Sequence, residues 1–199
     1  HVVVDREYAG YIRIGDEIRE DAASAVQALR KQGVGQIAML TGDNACAAEA
    51  VSSKLGVDVW HADLLPEDKV RIFESIKDQN QDSGKIAFVG DGVNDAPVLA
   101  RADVGLAMGC LGSDAAIETA DVVLMKDSPM KVAEAVAIAR KTRRIVWQNI
   151  GLVFLIKGIF IVLGSMGMAS MWEAVFADMG TALVAVLNST RILRIGNKP

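Results

Sequence analysis

Up to about residue 128 the spacing of apolar positions keeps switching between two periods. Short β-branched or apolar runs alternate with stretches in which apolar residues recur at i, i+3, i+4 and i+7, the marks of strands and of one-faced helices. Residues 2–4 and 8–14 cluster β-formers around Gly10 and predict two short strands. Ala22, Ala25, Val26 and Leu29 predict an amphipathic helix capped by Asp21 and ended at Gly33. Gln36–Leu40 predicts a buried strand, Ala47, Ala48, Val51 and Leu55 a second helix ending at Gly56, and Val57–Trp60 another strand. Pro66 opens a third helix at its favoured first position, and Gly84 breaks the pattern before the next strand, Ile86–Val89. Strands at Val104–Met108 and Val122–Met125 flank a helical Ser113–Thr119. Strand and helix in alternation predict an α/β fold with a doubly wound parallel sheet.

Ser128-Pro129 then opens a long helix that carries charges up to Arg144, and from Ile145 the pattern changes. Ile150 to Met171 holds one charge, Lys157, and is long enough to cross a bilayer core of about 30 Å. Ala174 to Leu193 is a second apolar run, interrupted by Asp178. The link around Gly167–Met171 is short, so the two runs predict a transmembrane helical hairpin; two buried helices of a soluble protein are the ordinary alternative. Lys141, Arg143 and Arg144 precede the first run, and Arg191, Arg194 and Lys198 follow the second. Basic residues at both ends place both in the cytoplasm.

Composition changes this picture little. The 199 residues carry 21 basic and 25 acidic side chains, a net charge of −4, which argues against nucleic acid as a partner. Two distant cysteines, Cys46 and Cys110, form no ligand pair and read as small buried residues. His1 followed at once by Val2-Val3-Val4 reads as the interior of a longer chain.

The candidate chemistry gathers where predicted strands end. Phe88-Val89 runs into Gly90-Asp91-Gly92-Val93-Asn94-Asp95, an acid between two glycines with a second acid four residues on. Carboxylates at such a turn suit a hard cation such as Mg²⁺, and carboxyl ends of strands are where α/β sheets place their sites. Thr41-Gly42-Asp43 follows another strand, and its hydroxyl and backbone N–H groups can hold phosphoryl oxygens. Lys69, in the first turn of the third helix, can neutralise the same oxygens. Hydroxyl, lysine and paired acids are the parts of phosphoryl transfer, whose catalysis is mostly positioning and charge neutralisation. Taken one at a time they are equally a turn threonine, a solvated lysine and a capping acid.

Met39-Leu40-Thr41-Gly42-Asp43-Asn44, Leu65-Pro66-Glu67-Asp68-Lys69 and Val89-Gly90-Asp91-Gly92-Val93-Asn94-Asp95-Ala96-Pro97 resemble the phosphorylation-domain motifs of P-type ATPases, a branch of the haloacid-dehalogenase-like hydrolases. The segment Ala107–Asp121 is similar to the one that follows in heavy-metal pumps, and the likeness runs from about Gly10 to Leu193. The resemblance implies that Thr41 contacts the phosphoryl group, Lys69 stabilises it, Asp91 and Asp95 serve Mg²⁺, and Asn94 supports the turn. It implies four parts: residues 1–16, the last strands of a nucleotide-binding domain; 17–128, the phosphorylation domain; 129–145, a stalk helix coupling sheet to membrane; and 146–199, the transmembrane hairpin with a cytoplasmic tail. The family's phosphorylated aspartate lies in Asp-Lys-Thr-Gly-Thr, which is absent from this chain. The expectation is therefore that the nucleophile and most of the ATP pocket lie upstream, in the remainder of the pump, and that this chain alone is inactive.

An ionisable residue inside a span costs roughly 2.5–3.5 kcal/mol on insertion scales, which makes Lys157 and Asp178 functional candidates. With a turn near residue 169 they lie at depths differing by only about 4–5 Å at 1.5 Å per residue, so they can pair. The pair serves either as a structural bridge or as a transport site, with Asp178 as ligand of a divalent cation and Lys157 as its counter-ion. Lys157 and Asp178-Met179-Gly180 resemble the zinc/cadmium/lead-exporting subgroup, whose Cys-Pro-Cys ligands would lie in an earlier span. Met166, Met168, Met171 and Met179 read as packing residues. The expected whole is an integral protein of the cell membrane with its sheet domain in the cytoplasm. A membrane-anchored phosphatase of the same superfamily, with Asp5 as its candidate nucleophile, and a non-catalytic adaptor are the competing readings.

Overall fold

A computed structural model of the chain describes residues 1–12, 17–80, 84–90, 93–109 and 114–195. It divides into two compact units, His1–Val132 and Ala133–Pro199.

The first unit opens with an antiparallel hairpin, β1 (Val2–Val4) and β2 (Glu7–Gly10). Asp5 and Arg6 form its two-residue turn, both at positive φ (52° and 69°), as a type I′ turn demands. Helix α1 (Ala22–Lys31) follows, then β3 (Ala38–Leu40), α2 (Ala45–Leu55), β4 (Val59–His61) and α3 (Pro66–Gln79). Next come β5 (Ala87–Gly90), a 3-10 turn at Val93–Asp95, α4 (Ala96–Leu99), β6 (Val104–Met108), α5 (Asp114–Thr119) and β7 (Val122–Leu124). The predicted α/β order stands, with strand ends moved by one or two residues except in β2, predicted over 8–14, which ends at Gly10; residues 13 and 14 lie outside the described residues. β3 pairs parallel with β4, and β5, β6 and β7 pair parallel in that order. The parallel sheet therefore comes in two pieces, with no hydrogen-bonded pairing between β3 and β5 among the described residues.

One device recurs at the starts of these strands. Asp58, Asp103 and Asp121 each stand one residue before a strand and grip a single residue of the neighbouring chain segment. Asp58 accepts from the Ile37 N–H (2.7 Å) and donates its own N–H to the Ile37 carbonyl (2.8 Å). Asp103 does the same with Ile86 (2.9 and 3.1 Å), and Asp121 with Gly105 (2.8 and 2.9 Å). The carboxylates satisfy N–H groups that lie just outside or at the start of the ladders, where a buried orphan would be costly. The Ile86 N–H holds the Asp103 carboxyl below its ordinary range, and the Arg30 guanidinium, bonded at 2.8 Å, does so for Asp58.

Two local expectations are corrected. Asp21 occupies the N-cap position of α1 but makes no capping bond with its side chain. Its carboxylate instead accepts from the Ser128 hydroxyl and the Met130 N–H, tying the start of α1 to the start of the long last helix of this region; the Ser128 bond, above all, lowers its pKa. Cys46 is exposed, because α2 turns Ala48 and Ser52, four residues apart, into the core and leaves Cys46 on another face. Cys110 lies outside the described residues. The core is small and centred on α4 and β6: Val98 and Leu99 are fully buried, and Phe88, Ala120 and Val123 pack against Leu99 and Ala107.

Helix α6 (Met130–Ser165) begins in the first unit and runs unbroken for 36 residues, followed by α7 (Met171–Ser189) and a 3-10 segment, Thr190–Ile195. Gly167, at φ +71°, turns the chain between them, and Ser170 and Glu173 form a reciprocal capping box at the start of α7. Helix α6 is long and apolar enough to cross a membrane, with a mean hydropathy of 2.0 over its most apolar window. Most large apolar side chains of both helices are exposed, among them Phe154, Ile161, Phe176 and Leu187. Met166, Met168, Met171 and Met179 are exposed too, so the packing role expected for them is not realised within this chain.

Candidate functional site

The loop after β3 is shaped by its own hydroxyl. Thr41 Oγ1 donates to Asp43 Oδ2 (2.9 Å) and accepts from the Asp43 N–H (3.0 Å), closing a tight turn around Gly42. The next residue, Asn44, caps α2 by accepting from the Ala47 N–H at 3.0 Å. The loop after β4 is laced to this turn. Asp63 N–H donates to the Asp43 carbonyl (2.8 Å) and Leu64 N–H to the Thr41 carbonyl (3.1 Å), with Asp63 in the left-handed region at φ +55°. The neighbouring N-terminus of α3 is thereby placed beside the Thr41 turn.

Helix α3 starts with Pro66 at its first position and carries Glu67 and Asp68 in its first turn, favourable at the positive end of the helix dipole. Phe73 on α3 packs edge-on against Phe88 of β5, ring centroids 5.8 Å apart and planes at 80°. Lys69 precedes Phe73 by four residues and so lies on the same helix face. The aromatic contact delivers Lys69 to the carboxyl end of β5, where its Nζ meets Asp95 Oδ1 at 2.9 Å. Both side chains are largely buried, 18% and 13% exposed, so solvent screens this pair far less than a surface one.

Gly90 makes the geometry possible. A Cβ built there would stand 2.6 Å from Asp95 Cβ and 2.9 Å from Asp95 Oδ2. Only a residue without a side chain lets Asp95 fold back under the end of β5. Asp95 keeps Oδ1 on the Lys69 ammonium while its Oδ2 lies against Gly90; carboxylate oxygens are the ligands a hard cation takes. The described residues hold no cluster of three His, Cys, Asp or Glu side chains. Asp91 and Gly92 lie outside the described residues, and Asn94 is exposed in the 3-10 turn. Lys69 and Asp95 are thus in direct contact, while Thr41, Gly42 and Asp43 reach them through the Leu64 connection to α3.

The helical unit carries a second lysine–aspartate pair. Lys157 Nζ on α6 lies 3.1 Å from Asp178 Oδ1 on α7. Nearby along the same two helices is a polar cluster that sequence reasoning missed. Asn149 on α6 donates to the Ala185 carbonyl (3.2 Å) and Ser189 hydroxyl (2.9 Å) of α7, and its Oδ1 accepts from Asn188 (2.7 Å). Arg191 in turn donates to Asn188 Oδ1 at 2.9 Å. The signal was available: Asn149 at the edge of the first apolar run and Asn188 within the second, each with an amide that must find partners. The strand-start aspartates were also legible, as three Asp-Val pairs at 58–59, 103–104 and 121–122.

A parallel sheet whose strands end in the Thr41 turn and the Lys69–Asp95 pair belongs to the hydrolases built on this sheet: residues 1–103 match the haloacid dehalogenase-like hydrolase family, and the chain belongs to it. Within that family its relatives are metal pumps. It is 57% identical over 198 residues to the cadmium, zinc and cobalt-transporting ATPase of Bacillus subtilis, and 59% identical over 194 residues to the zinc-transporting ATPase of a Synechocystis species. These alignments cover 100% and 98% of the chain but only 28% and 27% of the relatives, so it spans just over a quarter of their length. Among solved structures it is similar to a zinc-transporting PIB-type ATPase in its E2.Pi state, at TM-score 0.82 and 40% identity, over 89% of this chain and 28% of that one.

Proposed function

We propose that this chain is the part of an ATP-driven exporter of divalent heavy-metal cations that holds the phosphoryl- and Mg²⁺-binding side of the phosphorylation site and a two-helix membrane hairpin. The reading rests on the two lysine–aspartate pairs, one at the carboxyl end of a parallel sheet and one between apolar helices. The names of the relatives, which include zinc, cadmium and cobalt, support Zn²⁺ and Cd²⁺ as cargo and add Co²⁺. Lead, expected from the resemblance in sequence, finds no support in these names.

In this reading the Thr41 hydroxyl and the Gly42 N–H bind phosphoryl oxygens. Thr41 Oγ1 exchanges its present acceptor, Asp43, for the phosphoryl group. Asp95 holds Lys69 extended toward the strand ends, where the ammonium neutralises the charge of the transferring group. Asp91 and Asp95 would hold Mg²⁺, which when bound adds further charge neutralisation. The nucleophilic aspartate belongs to the rest of the pump. The described residues of β3 pair only with β4 and those of β5 only with β6, and we place the strand bearing that aspartate between them. Its carboxyl end then lies beside Thr41 and Lys69.

Asp178 is the cation ligand in the hairpin, and Lys157 is the built-in counter-ion that occupies it after release. Both helices cross the cell membrane, with the basic residues before α6's apolar part and Arg191 after α7 on the cytoplasmic side. Residues 129–145 serve as the stalk.

In the complete pump, Asp178→Asn abolishes zinc- and cadmium-stimulated ATP hydrolysis, and Lys157→Ala shifts apparent metal affinity by about 10–100-fold, as loss of a group supporting a metal ligand does. Unchanged metal stimulation in either variant overturns the transport role of the hairpin. The 199 residues alone hydrolyse neither ATP nor small phosphate esters. Turnover of esters by this chain would instead favour a membrane-anchored phosphatase, a reading weakened by the place of its candidate nucleophile, Asp5, in a hairpin turn.

A further inference from the structure

One face of α6 carries a pattern that neither the phosphoryl site nor the cation site uses. Arg140, Arg143, Arg144, Trp147 and Gln148 line a shallow depression of about 490 Å³. Their spacing, i, i+3, i+4, i+7 and i+8, puts them on a single helix face. Asn149, two residues beyond Trp147 and so roughly 200° around the helix, is the residue bonded to α7, so the arginine face points away from that partner helix. All five side chains are exposed, Trp147 at 62%. No carboxylate occurs anywhere from residue 135 to 172, and among the described residues no ion pair engages these three arginines.

The same face continues into the apolar part of the helix. Phe154 and Leu155, then Ile161 and Val162, follow at helical spacing, exposed at 74%, 62%, 72% and 57%. Gly151 and Gly158 fall between them with nothing near the position of a Cβ, leaving a furrow. Read along the helix, the face presents guanidiniums, then an indole, then an apolar furrow. That order matches a phospholipid from phosphodiester through interface to acyl chain, with tryptophan at the boundary where its amphipathic ring is favoured. Guanidinium is the cation best shaped to bind phosphate oxygens in pairs.

We propose that this face of α6 is a binding site for one anionic phospholipid, its phosphodiester held by Arg140, Arg143 and Arg144 and its acyl chain laid along Gly151–Val162. The site depends on α6 entering the membrane, and is independent of which metal is carried and of ATP chemistry. Cations at headgroup depth that no carboxylate among the described residues engages attract anionic lipid by roughly fivefold per arginine, about 1 kcal/mol each.

The test uses the complete pump in nanodiscs of phosphatidylcholine containing a minor fraction of brominated phosphatidylglycerol or of brominated phosphatidylcholine. The readout is the Trp147-dependent quenching, wild type minus Trp147→Phe. Quenching is expected to be several-fold greater with the brominated anionic lipid. The variant Arg140→Gln/Arg143→Gln/Arg144→Gln is expected to lose that preference, weakening apparent affinity by about a hundredfold. The triple Arg→Lys variant, which keeps the charge and so guards against a failure to insert, is expected to retain it. Equal quenching by the two lipids in the wild type, or an unchanged preference in the triple Gln variant, overturns the proposal. Absence of Trp147-dependent quenching by either lipid overturns it too, since the face is then covered by protein. Abolition of the preference by millimolar inorganic phosphate assigns the arginines to a soluble anion instead and equally overturns it. Protection of a Gly158→Cys variant from a membrane-impermeant maleimide, read separately, reports whether α6 is inserted, so a failure of the membrane reading is distinguished from a failure of the lipid site.

Discussion

Asp95 is the residue on which the proposed phosphoryl site turns. Its carboxylate is 13% exposed, faces Lys69 and is wedged against a glycine, and each of those facts constrains a substitution. Gly90→Ala forces its methyl against the Asp95 side chain; the variant is expected to lose about 1–3 kcal/mol of stability, the usual cost of overpacking, and to lose phosphoenzyme formation with it. Thermal unfolding and acid-stable phosphate incorporation of the complete pump check both. A double-mutant cycle on Lys69→Met and Asp95→Asn should return a coupling of about 1–3 kcal/mol, because the pair is shielded from solvent and each single change strands a charge. Coupling near zero would make Lys69 a solvated lysine that merely lies nearby. The sequence already pointed to the chemistry of Lys69 and Asp95, but not to their contact. That contact depends on Phe73 meeting Phe88 across two elements, which no local pattern encodes.

Among the secondary elements, two devices set register. Asp58, Asp103 and Asp121 clasp the starts of the parallel strands at the end opposite the site, so the strand ends that carry Thr41 and Asp95 are held from behind. The folded state depresses the Asp103 and Asp58 carboxyls below their ordinary range. A depressed carboxyl contributes stability that is present above its unfolded value and is lost as pH falls through its lower folded value. Asp103→Asn, which keeps an acceptor oxygen but removes the charge, is therefore expected to lower the unfolding temperature at neutral pH. The difference from wild type should shrink to nothing as the pH is taken below that range, and a difference independent of pH would refute the clasp's ionic part. On the helical side, Asn149 bridges α6 to α7 at three points. Asn149→Ala should weaken the hairpin by about 1–2 kcal/mol, the upper range for polar contacts between membrane helices, seen as lower resistance to detergent denaturation. Because Lys157 and Asp178 lie on the same two helices, the loss should also loosen their 3.1 Å contact.

For the molecule as a whole, the parallel sheet in two pieces is the dominant fact. β3 and β5 each present an unpaired edge among the described residues, and such edges invite another strand. Hydrogen exchange at those amides of Ala38–Leu40 and Ala87–Gly90 that point away from β4 and β6 is expected to be fast in this chain alone and strongly slowed in the complete pump, where the proposed strand covers them. Equal protection in both would place the upstream strand elsewhere. The same reasoning explains a small core centred on Leu99 and Ala107, with much apolar surface left open along α6 and α7.

The class of the protein was legible without coordinates, because alternation of strand and helix periods is local and the Thr41, Lys69 and Asp95 motifs are contiguous in the chain. So was the possibility of the Lys157–Asp178 pair, which needs only helical rise and a turn position. Cys46 was misjudged, since composition says how often a cysteine is buried and only helix phase says which face it takes. Asp21 was misjudged for a related reason: a capping residue and a tertiary tether look alike in sequence, and its carboxylate is claimed by Ser128, more than a hundred residues away. Long-range geometry also decided the split sheet, the strand-start clasps and the contact of Lys69 with Asp95. In each case the deciding energy comes from groups distant in sequence satisfying one another's hydrogen bonds and charges, a condition that only the folded chain can meet.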